Sequence, residues 1–336
     1  MVGRRLRRGL TASGVLVGLW GIGGGIQMRS TGHGGYHTGL GVGVVQVDGG
    51  GPAEASGLAM GDQIVAVDGI AVARPWSKPN LAPVGIGNTQ TLRVDRAGTD
   101  ETVEVRWERI PPDRWRSFMI DFVVTVAWLG FGLWAMLASG SASGTTLAVL
   151  GLTYGLANLR GPSLGAIDDG ISFLQQNLSV FLTAVLCYFL VVFPRPKRMA
   201  RRRIPGWLVY ALFLPLLLFG LAEWVVFPAG VSEYRTVLSL TDLFYMVMSL
   251  VALIHTWIAL SGDERRRTGF SWILWGLACA IGPFLALALL RTAFGAFPLP
   301  GEAYLPLLGA LIPGSMALAV VTNSRSRETS ESHQDV

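Results

Sequence analysis

The sequence predicts a multi-pass α-helical membrane protein of about eight spans, with one small β-rich extracytoplasmic domain inserted after the first span. Three observations carry this expectation. The composition is 51% hydrophobic with only 15% charged residues, outside the balance of ordinary soluble domains. Beyond Arg116 the chain is a succession of apolar runs, divided by polar or Gly- and Pro-bearing breaks such as "ASGSASG" and "FGAFPLPGE". Before those runs lies a different kind of stretch, 33–110, made of short β-favouring segments and glycine turns.

The first element begins with Arg4, Arg5, Arg7 and Arg8, ahead of an apolar, glycine-containing run from Gly9 to about Ile26. A basic start before a run of this length fits a signal peptide or a signal anchor, and either one exports the β-rich stretch behind it. The lack of a clear small-residue cleavage site favours a retained helix, so residues 1–28 are assigned as a cytoplasmic basic end and first span.

Seven further spans are predicted at 117–138, 145–160, 173–193, 206–226, 237–260, 270–291 and 303–321, a seven-helix domain over 117–321. All but 145–160 approach or exceed the roughly 17 residues that cross a hydrocarbon core. With the amino terminus in the cytoplasm, "RPKRMARRR" and the clusters at Arg265–Arg267 and Arg325–Arg327 fall on the same side, as the positive-inside rule asks. Residues 322–336 then form a short cytoplasmic tail, so both termini are cytoplasmic and the protein belongs in the cell inner or plasma membrane. The formal charge of +5 resides largely in these clusters beside apolar runs. Its partners are membrane lipid headgroups, with no nucleic acid expected. Cys187 and Cys279, inside apolar runs, read as small core hydrophobes.

Within 33–110, β-favouring runs are Gly39–Val47, Asp62–Val67, Gln90–Arg93 and Thr102–Trp107. Pro52 can open a short helix that Gly57 closes. The expected core is Val42, Val44, Val47, Ala53, Leu58, Ile64, Val65, Val67, Leu92, Val94, Val103 and Val105. The run "GLGVGVVQVDGGGPAEASGLAMGDQIVAVDG" resembles the first half of a bacterial PDZ domain, with "LRVDRAG" and "VEVRW" similar to its last strands over residues 39–107. The resemblance implies that Gly39, Leu40, Gly41 and Val42 match the carboxylate-binding loop. It also implies that the strand from Val42 through Gly43 and Val44 to Val47 receives an extended peptide. Pro52, Ala53, Gly57, Leu58, Gly61, Asp62 and Gly69 match the family's structural motif, with Asp62 ordering the turn before a strand. Apart from the family, successive N–H groups in a glycine loop can cradle a terminal carboxylate, and an open strand edge can pair with a peptide. The same glycines also read as plain tight turns. Pro79 and Pro83 interrupt the segment where the second wall of a PDZ groove belongs.

Chemistry within the spans is sparse. There is no H-E-x-x-H pair and no G-x-S-x-G elbow with a partner, so no enzyme, metal site or cofactor is expected. His255 reads as a helix-packing or interface residue, and Asp121, Glu223, Asp242 and Arg291 as groups near span ends. Asp168 and Asp169 are a poor metal site by themselves. Trp115, Trp207, Trp224 and Trp272 fit an interfacial aromatic belt.

The order of parts is similar to the sensor region of bacterial competence and quorum-sensing histidine kinases. The last span, with Pro313, Ala317, Leu318, Ala319 and Val320 before Arg325 and Arg327, resembles the junction that leads there into the kinase. That resemblance implies recognition of an extracellular peptide. After Arg327 come only "ETSESHQDV", which holds no phosphoacceptor or ATP-binding domain. The expected function is a non-catalytic sensor or binding module that recognises an extracytoplasmic peptide or protein C-terminus and relays to a separate kinase or membrane-complex protein. The alternative is a scaffold or accessory protein of an envelope, secretion or proteolytic complex, with transport ranked last. The carboxy-terminal Asp335 and Val336 resemble a PDZ ligand but are expected across the membrane from the domain.

Overall fold

The structure, a computed structural model, describes residues 4–38, 43–72, 84–164, 168–194, 231–294 and 301–332. The span predicted at 206–226, with Glu223, Trp207 and Trp224, lies outside the described residues, as do Gly39–Val42, Pro79, Pro83 and the terminal Asp335 and Val336. The fold is mostly helical, with one small β domain between the first helix and the rest.

Helix α1 spans Arg4–Ser30 and buries a glycine face. A Cβ at Gly24 would collide with the Arg160 carbonyl, and one at Gly21 with the Leu159 side chain. The bare backbone is therefore what lets α1 lie against α4 (Ala142–Asn158) at close range. Val17, Leu129 and Leu159 form the apolar contact that α1 shares with its neighbours.

Helix α3 (Pro112–Ser139) starts with Pro112 in its first turn, where no N–H is missed, and ends at Gly140 in the left-handed region (φ 60°). Ser141 then caps α4 by accepting from the Gly144 N–H, so the α3–α4 turn is set by two consecutive residues, Gly140 and Ser141. Next come α5 (Asp168–Val192) and α6 (Val231–Ala259), joined across their faces where the Thr183 hydroxyl donates to Asp242 at 2.8 Å. Asp242, near the start of the apolar stretch Thr236–Ala259, thus has a hydroxyl on the facing helix as its partner. Helix α7 (Gly262–Arg267) opens with a reciprocal Ser261–Glu264 capping box, and α8 (Phe270–Phe294) runs through Pro283 without stopping.

The last predicted span is two elements. Residues Glu302–Ala310 form a 3₁₀ segment containing Pro306, and α9 (Leu311–Ser332) comes next with Pro313 in its first turn. Arg291 closes the gap from α8, donating to both oxygens of Glu302 at 2.7 and 2.6 Å. The bundle core includes Trp128, Leu147, Phe189, Phe193, Phe270, Ile273 and Met316. Five helical stretches among the described residues are long and apolar enough to cross a membrane: Arg4–Ser30, Pro112–Ser139, Thr236–Ala259, Phe270–Ala293 and Glu302–Ser326. Cys187 is buried, whereas Cys279 is exposed on α8, which corrects its expected place in a core. His255 is likewise exposed, on α6.

The β domain holds strands β1 (Tyr36–Thr38) and β2 (Val44–Val47), helix α2 (Pro52–Ala55), and strands β3 (Gln63–Val67), β4 (Ile70–Ala71), β5 (Thr89–Arg96) and β6 (Thr99–Arg106). One antiparallel sheet has the order β4–β3–β5–β6, and β1 and β2 make a second, two-stranded sheet. A bridge between Gly43 and Gln63 links the two. The β5–β6 hairpin turns on Ala97 and Gly98, both at positive φ (53° and 88°), as a two-residue loop between twisted strands requires. The core comprises Val44, Ala53, Leu58, Ile64, Val67, Leu92, Val94, Val103 and Val105, with Tyr36, Val47, Val72 and Trp107 packed against it. Val65 departs from the expected set. The β3–β5 register shifts between Ile64 and Ala66, so Ala66 is buried and Val65 only half-buried.

Candidate functional site

Strand β1 has a hydrogen-bonded neighbour on one side only, β2, with Tyr36 opposite Val47 and His37 opposite Gln46. Its other side is the open edge of this sheet among the described residues. The strand enters from a fixed turn. Segment 31–33 is pinned by Gly32 N–H to the Val84 carbonyl (2.8 Å) and by a reciprocal pair between His33 and Glu108 (2.7 and 3.2 Å). Gly34 and Gly35 then lead into Tyr36. Gly35 has φ 75°, its carbonyl accepts the Asp48 N–H at 2.8 Å, and a Cβ there would meet Pro52 Cδ at 2.9 Å. Only glycine fits this place without strain.

The sequence pattern points to a peptide strand one strand later, β2, whose preceding loop Gly39–Val42 lies outside the described residues. Val44 cannot serve: its N–H donates to the Asp62 carbonyl and its carbonyl accepts the Gly61 N–H, both at 2.8 Å, while β1 flanks it on the other side. Gly43 is bridged to Gln63. Beyond Val44, β2 pairs with β1 alone among the described residues.

The structural residues surround α2 and the start of β3, with Pro52 against Gly35. Pro52 is in the first turn of α2, and Ala53 and Leu58 are buried beneath it. Gly57, Gly61 and Gly69 all take positive φ (82°, 99° and 78°) at turns. Asp62, 2% exposed, accepts from the Ala59 N–H at 2.8 Å and from Arg96 Nε and Nη2 at 2.8 and 2.7 Å. The Arg96 hydrogen bonds, outweighing burial, hold the Asp62 carboxyl below its ordinary range. Arg96 also donates to the Gly57 carbonyl and pairs with Glu101. Sequence reasoning missed Arg96, whose partner is 34 residues away. A charged residue in a tight turn gives no sign of what it will reach.

A second polar group ties the β domain to the helices. His33 Nε2 lies 2.8 Å from Asp48 Oδ2, and Arg114, in the first turn of α3, donates to Asp48 Oδ1. Burial alone would raise the Asp48 carboxyl, but the hydrogen bonds from His33 and Arg114 lower it below the usual carboxylate range. His37, on β1, faces the same junction. Burial, reinforced by the nearby Arg114 charge, depresses its pKa, and its Nε2 has no partner among the described residues. Tyr36, on the opposite face of β1, donates to Gln90 Oε1 at 3.2 Å, and burial pushes its phenol upward.

A family model of the PDZ domain matches residues 23–106, from the last turns of α1 to the end of β6. No curated protein and no solved structure matches the chain. A PDZ domain is a protein- and peptide-binding module.

Proposed function

We propose that this protein is a non-catalytic membrane sensor or binding module. Its PDZ domain takes an extended peptide or protein C-terminus along the outer edge of β1 and relays its presence through α3 to a separate partner. The observation that carries this reading is the single-sided pairing of β1, entered from the Gly34–Gly35 turn. An added strand gains backbone hydrogen bonds there, and its alternate side chains face neighbouring surfaces. A peptide running antiparallel to β1 brings its carboxylate to the start of the strand, at Gly34, Gly35 and Tyr36. The loop Gly39–Val42, which the resemblance makes the carboxylate-binding loop, lies outside the described residues.

The relay has a short path. Asp48, one residue past β2, is held by His33 before β1 and by Arg114 at the head of α3. A ligand that displaces β1 acts on a network that also reaches the head of α3, a contact route whose coupling energy a double-mutant cycle measures.

The helices beyond the domain act as membrane spans in this reading, with the domain outside and both termini inside, on the strength of the basic clusters and the five apolar helices. Reporter fusions after Lys78 and Ser232 are expected to report outside, and fusions after Met199 and Arg267 inside. An inside result at Lys78 removes the extracytoplasmic assignment. Binding itself is tested by titrating the full chain in detergent with carboxy-terminal peptides and their amidated counterparts. The free acids are expected to bind at least tenfold tighter, and equal affinities would discard carboxylate recognition.

A further inference from the structure

Three adjoining hollows run from the underside of the PDZ domain down the outside of the helices. The first, about 100 Å³, is lined at its polar end by His37, Arg114, Asp121 and Arg160. The second, about 530 Å³, shares Met28, Phe118 and Arg160 with the first and carries Trp20, Gln27 and Gln175. The third, about 310 Å³, shares Trp20, Ile171 and Gln175 with the second and is otherwise apolar, with Leu16, Leu156, Leu174 and Leu178 along it. Leu16, Leu174 and Leu156 are 66, 50 and 41% exposed, which in a groove on a spanning helix means exposed to hydrocarbon.

The polar end is built for a ligand with two charges. Among the described residues, the guanidinium of Arg160 and the carboxylate of Asp121 form no hydrogen bond or ion pair, with each other or with anything else, although both line the same small hollow. The Nε2 of His37 is buried there without a partner. Arg114 is already held by Asp48. One cation and one anion, both exposed and lining one pocket, complement a zwitterion better than a simple anion, because each charge of the ligand finds its opposite. A volume of about 100 Å³ is on the order of three water volumes, enough for one charged group of a headgroup, with the rest in the second hollow.

We propose that this cleft holds a glycerophospholipid with a zwitterionic, primary-ammonium headgroup of the phosphoethanolamine type. Arg160 and His37 take its phosphate, Asp121 takes its ammonium, and an acyl chain lies along Leu16, Leu156, Leu174 and Leu178. The inference rests on the reading of the helices as membrane spans. It would place a lipid under β1 and beside the His33–Asp48–Arg114 network, where lipid and peptide share contacts.

The test uses the full chain purified in mild detergent and analysed by native mass spectrometry. Phosphatidylethanolamine, phosphatidylcholine, phosphatidylglycerol and inorganic phosphate are supplied separately. Phosphatidylethanolamine is expected to be retained at least tenfold over the other three. Arg160→Gln and Asp121→Asn are each expected to abolish that preference, while Arg160→Lys, which keeps the charge, retains part of it. Monodisperse elution of each variant certifies its fold, and Leu174→Gln, distant from the charges, provides a second route by weakening retention of all three lipids. Equal retention of the quaternary-ammonium or the anionic lipid would overturn the proposal. So would binding of inorganic phosphate alone, or unchanged preference in both charge variants. Alkaline carbonate extraction separates the two failures. A chain that leaves the membrane fraction refutes the spanning reading, and one that stays but selects no lipid refutes this inference only.

Discussion

Leu92→Ala probes the centre of the PDZ domain. Leu92 is fully buried on β5, between Val67 of β3 and Val103 of β6. Removing three carbons at about 0.8 kcal/mol each gives about 2.4 kcal/mol, and the cavity left behind adds to it, so a loss of about 3 kcal/mol is expected. A domain of this size has a total stability of roughly 5–10 kcal/mol, of which this is a large part. Val65→Ala is the matched control. The register shift leaves Val65 half-buried, and its loss is expected to cost under about 1 kcal/mol. Amide hydrogen exchange across β5 and β6 in the full chain reads the difference as local opening. Leu92→Ala should speed exchange roughly a hundredfold, and Val65→Ala less than about tenfold. Equal acceleration would show that Val65 belongs in the core and that the β3 bulge is not there.

The polar groups and the turn give two further outcomes. Asp62, whose carboxyl is depressed by Arg96, contributes stability that is complete above its unfolded value of about 3.9 and is lost as pH falls through the lower folded value. Thermal melts of Asp62→Asn should therefore lie below wild type at neutral pH, with the gap closing in acid, and a gap independent of pH would contradict the pairing. Gly35→Ala places a side chain at φ 75° against Pro52 and should cost about 1–3 kcal/mol, measured by the same exchange experiment at β1 and β2, while Gly49→Ala, in open space, should cost little.

What the sequence made legible was local. The Pro52 helix start, the glycine turns at Gly57 and Gly61, and the alternating core of Leu92, Val94, Val103 and Val105 all come from neighbours a few residues away. The long apolar helices were legible because period and length suffice. The open strand was not. The pattern around Gly39–Gly43 draws attention to the glycines themselves, but the free side of β1 follows from its pairing with β2 alone, a register no local signal in Tyr36–Thr38 announces. The same holds for Arg96 with Asp62 and for Arg114 with Asp48, whose partners are separated by 34 and 66 residues. The split of the last span had a local sign in Pro306 and Pro313, but hydropathy alone runs across it.

The central claim is that a peptide lies on β1, antiparallel, with its carboxylate at the Gly34–Gly35 turn. A carboxy-terminal peptide carrying a photoreactive group beside its last residue, irradiated with the full chain in detergent and mapped by mass spectrometry, tests this directly. The account predicts crosslinks at His33–Tyr36, lost when excess unlabelled free-acid peptide is added and kept when the amide is added. Crosslinks confined to Gly39–Val44, or to the α2 side of the domain, would contradict it.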